Sequence, residues 1–283
     1  MAARSRVRAS RRWARLGRAL SLVVSLSLLA VGLLALSIQP SSPLLAALAE
    51  RGGAIVPTRE PEAPAPARAP HGRVEGPLGV VFGPTAGAPR RRADDAGSPM
   101  MVMLHGMGMD PGPTCDLWPA PVRGDAFLVC PRGNGTLAGA SDWVGPASAR
   151  VAHAQAAIDD ATARFGELVS PHGVTVLAGF SRGAFLARDL VYAGHGARSV
   201  VLLGAALSPD PARFAAAGVR RVILGATRYD GAYATMKAAT ARLVAGGVAA
   251  RFVDLGLMGH GLPADLAERL DEPMRWASED ESS

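Results

Sequence analysis

A serine flanked by two glycines is the strongest chemical signal in the sequence. Residues 179–183 read Gly-Phe-Ser-Arg-Gly, with an apolar, β-branched run from Val174 to Ala178 before them and a helical stretch after them. A strand, a sharp turn and a helix in this order hold a serine hydroxyl exposed as a nucleophile. The spacing therefore makes Ser181 a candidate nucleophile. The alternative is an ordinary turn in which this serine only caps the helix.

A serine nucleophile needs a base that takes its proton. The best candidate among the six histidines is His260, which follows the last predicted strand and lies between Gly259 and Gly261. In an α/β sheet, loops at the carboxyl ends of strands carry the ligand-binding groups. His195 ends the helix that follows Ser181, which predicts a place on the wrong side of the sheet.

The base in turn needs a carboxylate that orients it. Asp230 and Asp210 each follow a predicted strand and precede His260 in the chain. We favour Asp230, because Asp210 stands between Pro209 and Pro211 and resembles a turn residue. The choice between the two stays open from the sequence.

A developing oxyanion needs fixed hydrogen-bond donors. Residues 105–108 read His-Gly-Met-Gly and follow an apolar strand, so backbone N–H groups in this loop are candidates, together with the N–H of Arg182. The alternative is a plain glycine-rich turn. We interpret His105 as a residue that braces the loop rather than as a base.

Strands and helices alternate in the pattern that surrounds these residues. This alternation predicts a mostly parallel sheet with helices on both faces. The first strand is expected within 78–82, and the later strands at 100–104, 126–130, 174–178, 199–203, 221–224 and 251–255. Helices are expected at roughly 147–165, 182–193, 232–245 and 263–276.

With these motifs the chain resembles the α/β-hydrolase superfamily over residues 72–276, with His-Gly-x-Gly after the third strand and the order Ser181, Asp230, His260. The resemblance implies a Ser-His-Asp hydrolase in which the amides of Met107 and Arg182 form the oxyanion hole. Compact secreted esterases, of the polyhydroxybutyrate-depolymerase and feruloyl-esterase kind, are the most similar. The acid lies farther beyond Gly225 than is usual in the superfamily. The short segment 204–220 leaves no room for a large cap domain.

The N-terminus carries a basic segment followed by an apolar one. Leu20 to Leu36 is apolar and lies at the border between signal-peptide cores, about 7–15 residues, and membrane spans, about 17–25 residues. Residues 1–38 are therefore expected to be a signal peptide or a membrane anchor, which leaves the arginines in the cytoplasm and exports the rest. These arginines are Arg4, Arg6, Arg8, Arg11, Arg12, Arg15 and Arg18. The catalytic domain is expected to be periplasmic or extracellular, or anchored at the outer face of the inner membrane.

Composition delimits the remaining segments. Residues 39–71 are rich in proline and alanine and predict an extended linker. The catalytic domain is expected at 72–276, and residues 277–283 form an acidic tail. The net charge of +6 comes from the N-terminal arginines, and the chain without them is close to neutral. This distribution argues against a nucleic-acid partner.

The two cysteines, Cys115 and Cys130, are expected to pair in an exported domain. Two free buried thiols are the alternative. No cluster has metal-ligand spacing and no phosphate-binding glycine loop is present, so no metal or cofactor is expected.

Together these features predict an exported serine carboxylesterase that acts on a small-molecule or polymeric ester through an acyl-enzyme. An exported peptidase or acyltransferase with the same fold is an alternative. A binding module that keeps the fold without the chemistry is another.

Overall fold

The computed structural model describes residues 72–84, 97–118 and 126–278. The predicted signal or anchor at 1–38 and the linker at 39–71 lie outside these ranges, as do the last five residues of the acidic tail. Within the described ranges, no helix has both the length and the apolar character that crossing a membrane requires.

An eight-stranded sheet forms the centre of the domain, and a separate two-stranded hairpin lies in the described part of the chain. The strands are β1 (Arg73–Gly76), β2 (Gly79–Phe82), β3 (Ser98–Leu104), β4 (Phe127–Pro131), β5 (Gly135–Leu137), β6 (Ala140–Asp142), β7 (Val169–Phe180), β8 (Ser199–Leu203), β9 (Arg221–Ala226) and β10 (Ala249–Asp254). The spatial order of the large sheet is β1-β2-β4-β3-β7-β8-β9-β10, and β5 and β6 form the hairpin. Strand β2 pairs antiparallel with both β1 and β4, and the six strands from β4 to β10 run parallel to one another.

Six α-helices lie in the described part of the chain and flank this sheet. They are α1 (Pro111–Asp116), α2 (Ala147–Phe165), α3 (Arg182–Tyr192), α4 (Pro211–Ala216), α5 (Tyr233–Ala245) and α6 (Leu266–Ser278).

Two apolar clusters cover the two faces of the sheet. Successive residues of a strand point to opposite faces, and in β3 Val102 belongs to one cluster while Met101 and Met103 belong to the other. The first cluster packs against α2, α3 and α5, and the second against α1 and α6. All five residues of β4 and all five of β8 are buried. This burial on both faces explains why these strands are continuous apolar runs in the sequence.

The predicted class, a mostly parallel sheet flanked by helices, is confirmed, and several element bounds differ from expectation. A further edge strand, β1, precedes the expected first strand, and β7 extends well before residue 174. The short elements α1, α4 and the β5–β6 hairpin were not expected, because segments of three to six residues carry too little periodicity to be recognised. The segment 204–220 contains only the short α4 and no cap domain.

Cys115 and Cys130 form a disulfide that joins α1 to β4, with their Cα atoms 6.5 Å apart. Both cysteines are buried in the second apolar cluster. The bridge thereby ties the segment that follows the His105–Gly108 loop to the sheet.

Removing this bridge is expected to destabilise the fold without changing its chemistry. The two cysteines are 15 residues apart in the chain, and a closed loop of that length contributes about 3 kcal/mol by restricting the unfolded chain. The double variant Cys115→Ser/Cys130→Ser is therefore expected to lose about 3 kcal/mol of unfolding free energy in urea denaturation. An unfolding free energy equal to that of the disulfide-bonded protein would contradict this expectation.

Candidate active site

Ser181 lies in a sharp turn between β7 and α3. Its φ of 52° is in the left-handed region, which non-glycine residues rarely adopt and which is often found at functional sites. A side chain on Gly179 would collide with the carbonyl group of Gly183, and one on Gly183 would collide with the carbonyl of Leu104. Both glycines of the Gly-x-Ser-x-Gly motif are thus required by close backbone contacts.

The hydroxyl of Ser181 does not cap the helix behind it. Instead, Ser181 Oγ lies 2.9 Å from His260 Nε2. The backbone N–H of Ser181 donates to the carbonyl of Leu203 at 2.8 Å and fixes the turn to the neighbouring strand β8. The turn therefore presents the hydroxyl to the histidine.

Asp230 accepts a hydrogen bond from the other nitrogen of the same imidazole, with His260 Nδ1 2.7 Å from Asp230 Oδ2. The other carboxylate oxygen, Oδ1, accepts from the N–H of Ala232 at 2.8 Å. An ionised carboxylate only accepts hydrogen bonds, so Nδ1 is the donor and Nε2 is free to accept from the serine. The Asp230 side chain is 7% exposed and the His260 side chain 51% exposed. The carboxylate is therefore shielded while the imidazole reaches solvent.

Asp210, the alternative acid, is elsewhere. Its Oδ1 accepts from the backbone N–H groups of Ala212 and Arg213, at 2.9 and 3.3 Å, and it caps α4. The proline-bounded segment is thus a helix N-terminus rather than a simple turn.

Backbone contacts hold the loop of Asp230 against the loop of His260. The buried Thr227 donates from Oγ1 to the carbonyl of Gly259 at 2.7 Å. The N–H of Tyr229 donates to the carbonyl of Met258 at 3.1 Å. The ring of Phe180 stacks on the imidazole of His260, with centroids 5.1 Å apart. These contacts fix the separation and the tilt of the imidazole relative to the carboxylate.

Asp254, at the end of β10, accepts hydrogen bonds from residues of the same two loops. Its Oδ1 accepts from the N–H of Gly256 at 2.9 Å, and its Oδ2 accepts from Arg228 Nε at 2.6 Å. The Gly256 N–H and then the Arg228 guanidinium hold the pKa of this carboxyl below its usual range, against the opposing effect of burial. Asp254 thus stays ionised at the start of the loop that carries His260.

His105 braces the glycine-rich loop, as the sequence suggests. The ring is buried, and its Nδ1 lies 2.7 Å from the carbonyl of Gly106, to which it must donate. Its Nε2 therefore accepts from the hydroxyl of Ser141, 3.1 Å away. Burial lowers the pKa of this imidazole, so the neutral ring is favoured. A neutral ring with both nitrogens hydrogen-bonded holds the loop.

Met107 and Arg182, the residues expected to donate to the oxyanion, lie in the loop after β3 and at the start of α3. Arg182 is the first residue of α3, where backbone N–H groups have no partner within the helix. The N–H of Met107 likewise has no acceptor among the described residues. The side chains of the two residues touch, with Arg182 Nη2 2.9 Å from Met107 Sδ. This side-chain contact joins the loop after β3 to the start of α3.

His195 does not join this cluster. His195 lies with Gln155, Asp159 and Thr162 around a cavity of about 270 Å³ between α2 and α3, remote from the triad. In the described ranges, no group of three or more metal-ligating side chains comes together.

Several residues that shape the site were not found from the sequence. Thr227 and Phe180 position the imidazole of His260. Contacts to His105 and Arg182, on either side of the nucleophile turn, come from Ser141, Asp142 and Trp143. Each acts through contacts with residues distant in the chain. The Thr-x-x-Asp spacing before Asp230 is the only local signal, and it is a weak one.

Comparison with solved structures identifies the fold. Esterase PE8 matches with a TM-score of 0.51 and 21% identity, over 71% of this chain and 98% of that one. The carboxylesterase of Bacillus cereus matches with a TM-score of 0.50 and 17% identity, over 66% and 92% of the two chains. The protein TT1662 from Thermus thermophilus matches with a TM-score of 0.51 and 20% identity, over 74% and 98%.

The chain has the α/β-hydrolase fold. At these identities the likeness shows the fold and not the activity. No family model matches the sequence. A search of curated proteins also found no match.

Proposed function

We propose that this protein is a serine carboxylesterase. The observation that carries the proposal is the continuous hydrogen-bonded chain from Ser181 Oγ to His260 Nε2 and from His260 Nδ1 to Asp230 Oδ2. The esterase and carboxylesterase with the same fold agree with it. An ester is a suitable substrate because its alcohol leaves readily once the histidine donates a proton.

In the proposed reaction, Ser181 Oγ attacks the ester carbonyl while His260 Nε2 takes the serine proton. The N–H groups of Met107 and Arg182 donate to the oxygen that becomes negative. His260 then gives its proton to the leaving alcohol, and Asp230 stabilises the charged imidazole. Water, activated by the same histidine, hydrolyses the acyl-enzyme. Every proton is thus transferred through one imidazole, and no metal or cofactor takes part in this scheme.

The surface around Ser181 supports an apolar substrate group. Seven large apolar side chains are exposed in the described residues, and five of these lie in the β5–β6 segment or in loops that carry the triad and the expected oxyanion donors. A concentration of exposed apolar surface in one region is typical of a binding site. The five are Met107, Leu137, Val144, Tyr229 and Leu257.

We call these five side chains the rim, and one of its two leucines, Leu257, has a matched control elsewhere. Leu257 is 69% exposed and lies three residues before His260, whereas Leu168 is 64% exposed and lies at the opposite end of β7 from Ser181. With p-nitrophenyl esters from acetate to palmitate, wild-type protein is expected to hydrolyse the panel. Leu257→Ser is expected to lower kcat/KM about 5-fold for the long chains only, because roughly half a leucine's burial is lost. Leu168→Ser is expected to leave kcat/KM unchanged for short and long chains alike.

The same panel discriminates between the candidate activities. Hydrolysis of the esters supports the esterase, and the chain-length profile shows whether small or larger acyl groups are preferred. No hydrolysis by folded wild-type protein would refute the proposal and favour a peptidase, an acyltransferase or a binding module. Equal losses for Leu257→Ser and Leu168→Ser would refute the role of the rim. Whether the substrate is a polyester or a feruloyl ester stays a prediction.

We further propose that the catalytic domain is exported. The arginine-rich segment and the apolar run Leu20 to Leu36 support this, as does a disulfide, which is typical of oxidising compartments. Protease added outside the cytoplasmic membrane is then expected to cleave the domain in intact cells. A domain that is degraded only after lysis would contradict export.

A further inference from the structure

The side chain of Arg182 connects the nucleophile turn to a strand that the reaction scheme does not use. Arg182 Nη1 donates to Asp142 Oδ2 at 2.6 Å and to the carbonyl of Trp143 at 3.3 Å. Its Nη2 points to the sulfur of Met107. One guanidinium thus connects three segments, which are the start of α3, the end of β6 and the loop that carries Met107.

Asp142 depends on this arginine for its charge compensation. Its side chain is 4% exposed, and its second oxygen, Oδ1, is buried without a hydrogen-bond partner among the described residues. A buried carboxylate is costly unless it is paired. The pair is therefore unlike the solvent-exposed ion pairs of this protein, which contribute little to position or stability.

The same strand also holds the loop that carries Met107. Trp143 Nε1 donates to the carbonyl of His105 at 2.9 Å. The N–H of Ser141 donates to Asp110 Oδ1 at 3.1 Å, and the Ser141 hydroxyl bonds to the His105 ring. Residues 141–143 therefore contact both segments that contribute an oxyanion donor, one through Arg182 and the other through His105 and Asp110.

We propose that Asp142 is a positioning residue for the oxyanion hole. Through Arg182 it fixes the backbone N–H at the start of α3 relative to the N–H of Met107, so that both donors meet the same substrate oxygen. This inference rests on the proposed function, because it concerns the transition state of the same reaction. Among the described residues, the side chain of Asp142 bonds to Arg182 and to no member of the triad.

Asp142→Asn in the full chain is the direct test, because the amide keeps the size and removes the charge. We expect kcat for p-nitrophenyl butyrate to fall about 10- to 100-fold while KM changes less than about 3-fold, since misplaced donors weaken binding of the transition state and not of the ester. The affinity for an alkyl boronic acid, a tetrahedral mimic, is expected to fall by a similar factor. A fluorophosphonate is still expected to label one site per molecule, because the triad is intact.

A control pair is present on the same helix. Arg188 Nη2 bonds to Asp189 Oδ1 at 2.6 Å, and both side chains are more than two-thirds buried, but they are far along α3 from the serine. Asp189→Asn is expected to leave kcat and boronate affinity unchanged. This variant separates a general effect of losing a largely buried ion pair from the positioning of the donors.

Arg182→Lys provides a second variant that keeps the positive charge beside Asp142 and so protects the fold. A single ammonium cannot replace the planar fork that reaches Asp142, Trp143 and Met107 together. We expect Arg182→Lys to lower kcat in the same way as Asp142→Asn. The double variant is expected to lose little more kcat than either single variant, because both substitutions break the same contact.

Unchanged kcat and boronate affinity in folded Asp142→Asn and Arg182→Lys would overturn this inference alone, provided that the wild type hydrolyses the ester. A loss that falls on KM only, or that Asp189→Asn shares, would also overturn it. If the wild type neither hydrolyses esters nor reacts with the fluorophosphonate, the proposed function fails and this inference fails with it.

Discussion

Replacement of Ser181 by alanine is expected to lower kcat for ester hydrolysis by roughly 10⁴- to 10⁶-fold, down to the background that binding and the oxyanion donors sustain. The hydroxyl of this serine is the only group that the turn presents to His260 Nε2, at 2.9 Å. In the proposed reaction, no acyl-enzyme forms without this hydroxyl. The measurement is the steady-state rate on p-nitrophenyl butyrate, with KM expected to stay close to that of the wild type.

A control for this variant lies on the same strand. Ser170 is near the beginning of β7 and Ser181 follows its end. Ser170→Ala is expected to keep the wild-type rate. If Ser181→Ala retained more than a few per cent of kcat while Ser170→Ala was unchanged, another nucleophile would carry the reaction, contrary to the proposed role of Ser181.

Asp230→Asn is expected to lower kcat by about 10⁴-fold, while Asp210→Asn leaves it unchanged. The carboxylate of Asp230 accepts from His260 Nδ1 and so keeps Nε2 free to take the serine proton. An amide can donate to Nδ1 instead, which favours the tautomer that has its proton on Nε2. Asp210 only caps α4, and asparagine caps a helix as well as aspartate does.

Steady-state kinetics with thermal denaturation of both variants tests this pair of expectations. Both proteins are expected to remain folded, so that the difference in kcat reports the chemistry. Equal rates for the two variants would show that Asp230 does not orient the histidine. A large loss in Asp210→Asn would point to the acid that the sequence left as the alternative.

The nucleophile turn could be predicted because its physical requirements fall on a short stretch of sequence. Gly179 is needed where its backbone approaches that of Gly183, and Gly183 is needed where the turn approaches the carbonyl of Leu104, so the two requirements leave a five-residue motif. The parallel strands could be predicted for a similar reason, since burial on both faces makes each of them a continuous apolar run. Helix α2 has the bounds that its sequence pattern indicated.

The sequence favoured Asp230 but left Asp210 open as the acid, because both residues follow a buried strand. The structure places Asp230 beside His260 because β9 and β10 are neighbours in the sheet, so their carboxyl-terminal loops meet. Asp210 follows β8 and is used by α4. The order of strands in space decides between the two, and a single sequence does not contain it.

The supporting contacts were missed for a related reason. Asp142 and Arg182 are 40 residues apart in the chain, and Trp143 and His105 are 38 apart. The β5–β6 hairpin that brings them together is too short to leave a periodic pattern. Positioning residues of this kind follow from the packing of loops, which local propensity does not determine.

Identification of the residue that reacts with a fluorophosphonate tests the central claim most directly. The full chain would be treated with the probe, before and after denaturation, and the modified peptide identified by mass spectrometry. We predict a single adduct on Ser181 that forms only in the native protein, since activation requires His260 and Asp230 in place. A native protein that forms no adduct, or an adduct on a different residue, would contradict the account.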